Sequence, residues 1–232
     1  MKTMLLADFI TTRKYLVQQC ALSAAIGLFV GIGNHSALLA ANMLVVMLFV
    51  MLSISLLALD EQNGWQKFRL TLPLSRKHVV MGRYVSLLCA ALLSLGVCLL
   101  TAAIMLGVGM AVPDVIVVDE LVEGLSGAAS LIVGSTVALC LVALLAMSLS
   151  LPFMFRFGMT KATRFLPALC LLLFCIAVML SAQYAAEVEA LLNALPTWVF
   201  GPAGLALFAV VALAVYTVSC VVSVKLYEKR DF

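Results

Sequence analysis

Residues 124–127 read Gly-Leu-Ser-Gly, a G-x-S-G pattern that surrounds the nucleophilic serine of some intramembrane proteases. A serine hydroxyl becomes a nucleophile when a neighbouring base removes its proton, and histidine is the usual base. In those proteases the base comes from a later span, whereas His35 and His78, the only histidines, both precede Ser126. Without a base Ser126 is an ordinary serine, so an intramembrane enzyme is a remote alternative.

The cysteines are the other residues with reactive side chains. All of them fall in apolar runs, none has C-x-x-C spacing, and no histidine lies nearby: Cys20, Cys89, Cys98, Cys140, Cys170, Cys175 and Cys220. A disulfide framework or a zinc site needs thiols in loops or at ligand spacing. We therefore expect small apolar packing residues and no metal site.

Nucleotide chemistry and ion transport within the chain are also disfavoured. No phosphate-binding loop of the form G-x-x-x-x-G-K-[ST] occurs, so we predict no bound cofactor and no catalytic residue. No ionisable residue lies well inside an apolar run, although such residues usually mark proton relays or ion sites in membranes. If the protein moves a cargo, the energy must enter from outside the membrane-spanning segments.

The composition is that of a helical membrane protein. Mean hydropathy is +1.21, and 11% of residues are charged, against about 25% in soluble domains. Apolar runs of about 20 residues recur, each long enough as a helix to cross the hydrocarbon layer of about 30 Å. We predict an all-α integral membrane protein, a single domain over residues 1–232, with no cleaved signal peptide. The six predicted spans cover residues 15–32, 38–59, 84–112, 126–151, 165–182 and 203–224.

Charged residues divide between the two sides of this six-span order. All 14 Lys and Arg fall in the loops and tails of one side, which the positive-inside rule makes cytoplasmic. The charged residues of the opposite loops are all acidic: Asp114, Asp119, Glu120, Glu123, Glu187 and Glu189. We therefore predict that both termini are cytoplasmic. The net charge of +3 reflects this asymmetry and not nucleic-acid binding.

Small and weakly polar residues are scattered through the predicted spans. The glycines that could allow close helix contacts are Gly27, Gly31, Gly107 and Gly109. The polar ones include Asn42, Ser53, Ser55, Ser94, Thr101, Ser135, Thr136 and Ser148. We expect these polar residues to make helix–helix hydrogen bonds and not to bind a substrate.

A polar segment, DEQNGWQKFRLTLPLSRKHVV, separates the second and third spans at residues 60–80. Asp60 can cap a short helix, Pro73 limits that helix, and Ser75 can cap the next one. An apolar face follows at spacings of three and four residues: Trp65, Phe68 and Leu72. The pattern indicates an amphipathic helix on the inner membrane face. Its aromatic residues could anchor among lipid headgroups, or the helix could dock a cytoplasmic partner.

The N-terminal residues show a similar amphipathic pattern. Over residues 2–13, Leu5, Leu6, Phe9 and Ile10 lie on one side and polar residues on the other. This pattern predicts an elbow helix on the inner leaflet ahead of the first span.

Residues 59–84, LDEQNGWQKFRLTLPLSRKHVVMGRY, resemble the first cytoplasmic loop of small bacterial ABC type-2 transporter permeases. That loop typically carries an acidic pair, Gly-Trp, Leu-Pro-x-Ser-Arg and a basic-Tyr pair entering the third span. The corresponding positions here are Asp60-Glu61, Gly64-Trp65, Leu72 to Arg76, and Arg83-Tyr84. An Arg stands at position 83 where the family usually has Lys. The ending SVKLYEKRDF and the six spans are also similar to those of the family.

The resemblance implies one half of a membrane pore in the bacterial inner membrane. The chain would pair with a second copy or a sister permease, and a separate cytoplasmic ATP-binding protein holding ATP and Mg²⁺ would dock underneath. The coupling helix implied by the family comprises Asp60, Glu61, Gly64, Trp65, Phe68, Arg69, Leu72, Pro73, Ser75 and Arg76. Trp65 and Phe68 would be its anchors. Arg69 and Arg76 would pair with acidic groups of the ATPase or with lipid phosphate.

The last outer loop, QYAAEVEALLNALPTWVFGP, contains a short helical pattern that ends near Pro196. In the family it resembles, short outer helices before the last span help to close the extracellular exit. The candidate gate residues are Glu187, Val188, Leu191 and Leu192. An ordinary amphipathic connector is the alternative.

The expected function is therefore that of a transmembrane permease subunit of an ATP-driven exporter. Spans without charge favour an amphipathic cargo, such as a peptide, a lipid or a drug, over a small ion. A non-transporting membrane protein, such as an immunity or assembly factor, remains the alternative.

Overall fold

The computed structural model describes residues 2–33, 36–62, 76–111, 125–157 and 201–228. These ranges form five helices: α1 Lys2–Gly33, α2 Ala37–Gln62, α3 Arg76–Ala111, α4 Leu125–Phe157 and α5 Pro202–Glu228. Each helix contains a candidate membrane span of 19 to 32 residues. The described part of the chain is thus all-helical, as predicted, and accounts for five of the six predicted spans. The predicted span over 165–182 lies outside the described residues.

Two helix boundaries extend beyond the predicted spans. α2 continues to Gln62, so Asp60 and Glu61 lie in its last turn and do not begin a new helix. α3 begins at Arg76, directly after Ser75, where the sequence predicts a helix start. Apolar length predicts only the part of a helix inside the membrane, whereas backbone hydrogen bonding can continue into polar residues.

α1 is helical without interruption from Lys2 to Gly33. The predicted N-terminal helix over 2–13 and the first span therefore form one element. The placement of residues 2–13 on the inner leaflet stays a prediction.

α1 and α2 form a tightly packed hairpin. The hydroxyl of Ser36 accepts a hydrogen bond from the backbone N–H of Leu39 at 3.3 Å, which caps the start of α2. A Cβ added at Gly27 would stand 2.6 Å from Leu44 Cδ1, and one at Gly31 would stand 3.0 Å from Ala40 Cβ. Because these glycines carry no side chain, α1 approaches α2 closely at this point.

α2 lies at the centre of the bundle and contacts α1, α3 and α4. Its largest inward side chains are almost completely buried: Val45, Leu48, Phe49 and Leu52. The outward positions of the other helices are large and apolar, as Phe29 on α1 and Val210 on α5 show. This distribution suits a bundle whose outer surface meets lipid.

Side-chain contacts define the direction of each helix. Cys98 on α3 donates to the carbonyl of Ala41 at 3.0 Å, near the start of α2. A parallel order would separate Gln62 from Arg76 by about 65 Å along the helix axes, more than the chain between them can span at about 3.6 Å per residue, so these two helices run antiparallel.

Ser219 on α5 donates to the carbonyl of Ser148 on α4, and both residues are equally far from the last residue of their helix. Ser135 on α4 and Cys98 on α3 both reach the start of α2, whereas Cys140 on α4 lies near the Ala91 carbonyl on α3, so α4 is antiparallel to α3. On α5, Tyr216 reaches the backbone carbonyl of Tyr84 and Ser223 reaches its hydroxyl, which a helical side chain carries towards the start of α3. α5 is therefore also antiparallel to α3, and parallel to α4.

One end of the bundle collects every basic residue that the structure describes. The starts of α1 and α3 meet the ends of α2, α4 and α5 there, and we call it the basic end. The residues are Lys2, Arg13, Lys14, Arg76, Lys77, Arg83, Arg156 and Lys225. The helix packing therefore brings to one end the backbone positions of the described basic residues that the sequence assigns to one side.

Most of the predicted helix–helix hydrogen bonds are instead bonds within a single helix. The hydroxyls of Ser53, Thr101 and Ser148 donate to the carbonyls of Phe49, Val97 and Leu145 in their own helices. The physical reason is proximity, because a helical Ser or Thr can reach the carbonyl three or four residues earlier. Among the polar residues named in the sequence analysis, hydroxyl groups bond side chains of another helix in two pairs: Gln19–Ser55 at 2.5 Å and Ser135–Asn42 at 3.1 Å.

The described cysteines are free, and two of them confirm the packing interpretation. Cys98 and Cys140 are buried between helices. Cys89 is exposed on α3, so packing inside this chain does not account for that residue. Among the residues that the structure describes, no group of three or more potential metal ligands exists.

Candidate functional site

The most polar interior region lies near the basic end, where α3 meets α5. The Tyr84 hydroxyl lies 2.8 Å from Ser219 Oγ and 2.7 Å from Ser223 Oγ. All three side chains are buried, and Tyr84 is only 3% exposed. Two hydroxyl groups of α5 thus hold one hydroxyl group of α3. We call Tyr84, Tyr216, Ser219, Ser223 and the carbonyl of Ser148 the tyrosine–serine cluster.

Pro152 explains why α4 joins this cluster. Proline has no backbone N–H, so the carbonyl four residues earlier, that of Ser148, loses its helical donor. In a bilayer an unsatisfied carbonyl is costly, and neighbouring hydroxyl groups often replace the missing donor. Here the hydroxyl of Ser219 on α5 donates to the Ser148 carbonyl. The bond between α4 and α5 therefore occupies the position that proline leaves open.

The order of donors in the cluster follows from counting hydrogens. Ser219 has one hydroxyl hydrogen, and it is used on the Ser148 carbonyl. Towards Tyr84 the oxygen of Ser219 must therefore accept, so the Tyr84 hydroxyl donates to it. The hydrogen of Tyr84 is then used as well, and Ser223 donates to Tyr84. A directed chain runs from Ser223 through Tyr84 and Ser219 to α4, and each bond in such a chain polarises the next.

Tyr216 adds a second link between α3 and α5. Its hydroxyl donates to the backbone carbonyl of Tyr84 at 2.7 Å. The two rings meet edge to face, with centroids 5.0 Å apart and an interplanar angle of 64°. Aromatic pairs of this geometry are favourable beyond their buried area. α5 therefore holds both the side chain and the backbone of Tyr84.

Replacing Tyr216 with Phe tests the second link. We expect a loss of about 1 kcal/mol of unfolding free energy, because hydrogen bonds between membrane helices contribute about 0.6 and at most about 1.7 kcal/mol. The matched control is Thr217→Val, since Thr217 is exposed and donates only to the Ala214 carbonyl of its own helix at 2.8 Å. Unfolding in mixed micelles of mild detergent and dodecyl sulfate measures both. Equal stabilities of the two variants would contradict the assigned bond.

The inward face of α5 is unusual in its polarity. Buried residues recur at spacings of three and four, and most carry hydroxyl groups: Ala212, Tyr216, Ser219, Ser223 and Tyr227. The outward face consists largely of exposed Leu and Val. α5 is thus polar inside and apolar outside, so hydrogen bonds as well as packing can fix its position against α3 and α4.

Arg83, next to Tyr84, is also buried, at 3% exposure. The predicted third span begins at residue 84, which would leave Arg83 beside the loop at the edge of the membrane. The candidate membrane span of α3 starts at Lys77, before Arg83, and the low exposure of Arg83 places it inside the helix bundle at the basic end. The Arg83-Tyr84 pair that carried the family resemblance is therefore a pair of interior residues.

The structure describes only the ends of the predicted coupling segment. The backbone of Asp60 and Glu61 ends α2, and that of Arg76 begins α3. The other coupling residues lie outside the described residues: Gly64, Trp65, Phe68, Arg69, Leu72, Pro73 and Ser75. So do the gate candidates Glu187, Val188, Leu191 and Leu192. The described helix ends at Gln62 and Arg76 thus both lie at the basic end, and Tyr84 follows Arg76 by eight residues on α3.

Sequence reasoning named Tyr84 only as part of a motif and missed the rest of the cluster. One local signal was available, because Pro152 in an apolar run implies a free carbonyl at Ser148. The hydroxyl-bearing residues of α5 also recur at one-turn spacing, which indicates a polar stripe. Neither signal shows that the free carbonyl of Ser148 meets the polar stripe of α5.

Comparison with known proteins agrees with the architecture. The sequence profile of the family described as "ABC-2 family transporter protein" matches residues 3–228, nearly the whole chain. No curated protein and no solved structure shows a significant match. The match covers the five described helices except the first residue of α1, and each of these helices is long enough to span a membrane. The chain belongs to the ABC-2 family of transporter proteins and is a multi-pass membrane permease component.

Proposed function

We propose that this chain is the permease subunit of an ATP-driven exporter in the bacterial inner membrane. The observation that carries the proposal is the family match over residues 3–228. A separate cytoplasmic ABC protein would bind ATP and Mg²⁺, because the chain contains no phosphate-binding loop of its own. A second copy or a sister permease would complete the translocation path.

The coupling segment is assigned to residues 60–76. α2 ends inside this segment at Gln62, α3 begins at its last residue, Arg76, and both helix ends lie at the basic end of the bundle. Basic residues are retained in the cytoplasm, which is where an ATPase has to dock. Trp65 and Phe68 would anchor this contact, because buried aromatic residues dominate the binding energy of many interfaces.

Six spans are part of the proposal, and the helix directions support them. α4 ends at the basic end, whereas the parallel α5 starts at the opposite end. The chain between Phe157 and Gly201 must therefore connect opposite ends of the bundle. A membrane crossing at 165–182 supplies this connection, and it leaves both termini on the basic, cytoplasmic side.

The proposal also includes an amphipathic cargo and an outer exit. Interior faces of the described helices carry hydroxyl groups and apolar side chains, which suits an amphipathic cargo such as a peptide, a lipid or a drug. Export would end at an outer gate formed by Glu187, Val188, Leu191 and Leu192.

Co-purification tests the proposed function directly. The protein is extracted from its native membrane in several mild detergents, captured by an affinity tag, and its companions are identified by mass spectrometry. We expect a stoichiometric soluble protein with a phosphate-binding loop, together with ATP hydrolysis in the eluate. Recovery of the chain alone from every detergent would contradict the proposal. A complex that hydrolyses ATP without moving any cargo would favour a non-transporting role.

A further inference from the structure

The proline in α4 and the tyrosine–serine cluster form one mechanical unit. Pro152 removes a backbone bond within α4, and Ser219 of α5 replaces it from outside the helix. Proline is the commonest cause of sharp bends in helices. The hydrogen bond that α4 lacks at Ser148 is thus made by α5. The stiffness of α4 at this point therefore depends on the position of α5.

Tyr84 connects the same bond to α3. Its hydroxyl donates to Ser219 at 2.8 Å, and its backbone carbonyl accepts from Tyr216 at 2.7 Å. Tyr84 lies only about 12 Å along the helix from Arg76, at about 1.5 Å per residue. A displacement of the start of α3 therefore reaches the Ser219–Ser148 bond through a single hydrogen bond, Tyr84–Ser219.

We propose that Pro152 is a hinge in α4, that Ser219 holds it closed, and that Tyr84 releases or restores this bond when α3 moves. The inference rests on the proposed function, because the movement of α3 would come from an ATPase docked on residues 60–76. Tyr84 and Ser219 are positioning residues in this scheme. They determine when α4 can bend and do not contact ATP or cargo.

The first test is a double-mutant cycle in the isolated chain, which needs no ATPase. Ser219→Ala leaves the Ser148 carbonyl without a donor, so we expect the unfolding equilibrium to shift roughly tenfold. Pro152→Ala restores the backbone N–H, and in that background Ser219→Ala should shift the equilibrium at most about twofold. Thr217→Val, on the exposed face of α5, is the control. Equal effects of Ser219→Ala in both backgrounds would overturn the inference.

The second test measures bending in the complete complex. Spin labels are placed at Leu131→Cys on α4 and Leu207→Cys on α5, both exposed and far from the cluster, after exchange of the native cysteines. Labelled chain is diluted with unlabelled chain. About 21 residues, or about 31 Å of helix, separate Leu131 from Pro152, so a bend of about 10° moves Leu131 by about 5 Å. We expect the distance to change between the nucleotide-free and the ADP–vanadate-trapped complex.

The Pro152→Ala variant distinguishes a hinge role of Pro152 from a purely structural role. This variant should be at least as stable as the original chain, yet it should lose the nucleotide-dependent distance change, because a continuous backbone bond keeps α4 straight. Tyr84→Phe should reduce the change as well, since Ser219 then loses its donor. A full distance change in Pro152→Ala would overturn the inference. An active ATPase complex without any change in the original chain would overturn it too, and would leave the proposed permease function intact.

Discussion

Replacing Trp65 and Phe68 together with alanine should release the partner ATPase and leave the helices inserted in the membrane. Aromatic anchors in an interface often contribute 2 kcal/mol or more each, so the double variant should bind at least about a thousandfold more weakly. The measurement is the amount of ATPase recovered per permease after mild extraction. Unchanged thermal stability of the permease would show that its fold is intact.

The matched control is a second aromatic pair in a predicted outer loop, Trp198→Ala with Phe200→Ala. It removes the same kinds of side chain from a loop that the proposed six-span order assigns to the outer side of the membrane. We expect full ATPase recovery from that variant. If the Trp65 and Phe68 variant also retains the ATPase, segment 60–80 is a lipid-anchored loop, and coupling must occur elsewhere.

Replacing Gly31 with valine should cause the largest loss of stability among single changes in α1. A Cβ at this position would stand 1.9 Å from Met105 Cε and 3.0 Å from Ala40 Cβ. The end of the Met105 side chain can move, but Ala40 is attached directly to the backbone of α2. Overpacking of a close contact typically costs about 1 to 3 kcal/mol, and we expect the upper part of this range.

Gly107→Val is the control, because a Cβ added at Gly107 meets nothing within 4 Å in the described structure. Its unfolding free energy should change by less than about 0.5 kcal/mol, as for other surface substitutions. Met105→Ala should partly restore the Gly31→Val variant by removing one of the two clashes. Equal losses at Gly31 and Gly107 would show that helix propensity, and not close packing, determines the effect.

These glycines show what a single sequence leaves open. Gly27, Gly31 and Gly107 are the same residue in similar apolar surroundings, yet only the first two lie in a tight helix contact. The residues that such a glycine contacts belong to another helix, and the local sequence around the glycine does not predict which helix that is. The hydroxyl residues behave similarly, because a serine in a helix can satisfy itself on its own backbone.

The coupling segment, in contrast to the glycine contacts, can be predicted from local sequence. Its amphipathic pattern, its Pro73 and its neighbouring charges are local features, so the sequence predicts a docking or anchoring helix without any structure. The start of α3 at Arg76 agrees with the predicted boundary. The burial of Arg83 does not follow from local pattern, because a basic residue at the edge of an apolar run usually faces lipid headgroups.

The sequence alone determined the class of the protein, five helices that the structure confirms, and the side on which the basic residues gather. Those properties follow from local composition, because an apolar run forms its backbone hydrogen bonds within itself when it enters a bilayer. Only the tertiary structure decided which residue replaces the hydrogen bond that Pro152 removes. Tyr84 and Ser219 are 135 positions apart in the chain. They meet because the start of α3 packs against the ends of α4 and α5 at the basic end, and that arrangement depends on packing between helices.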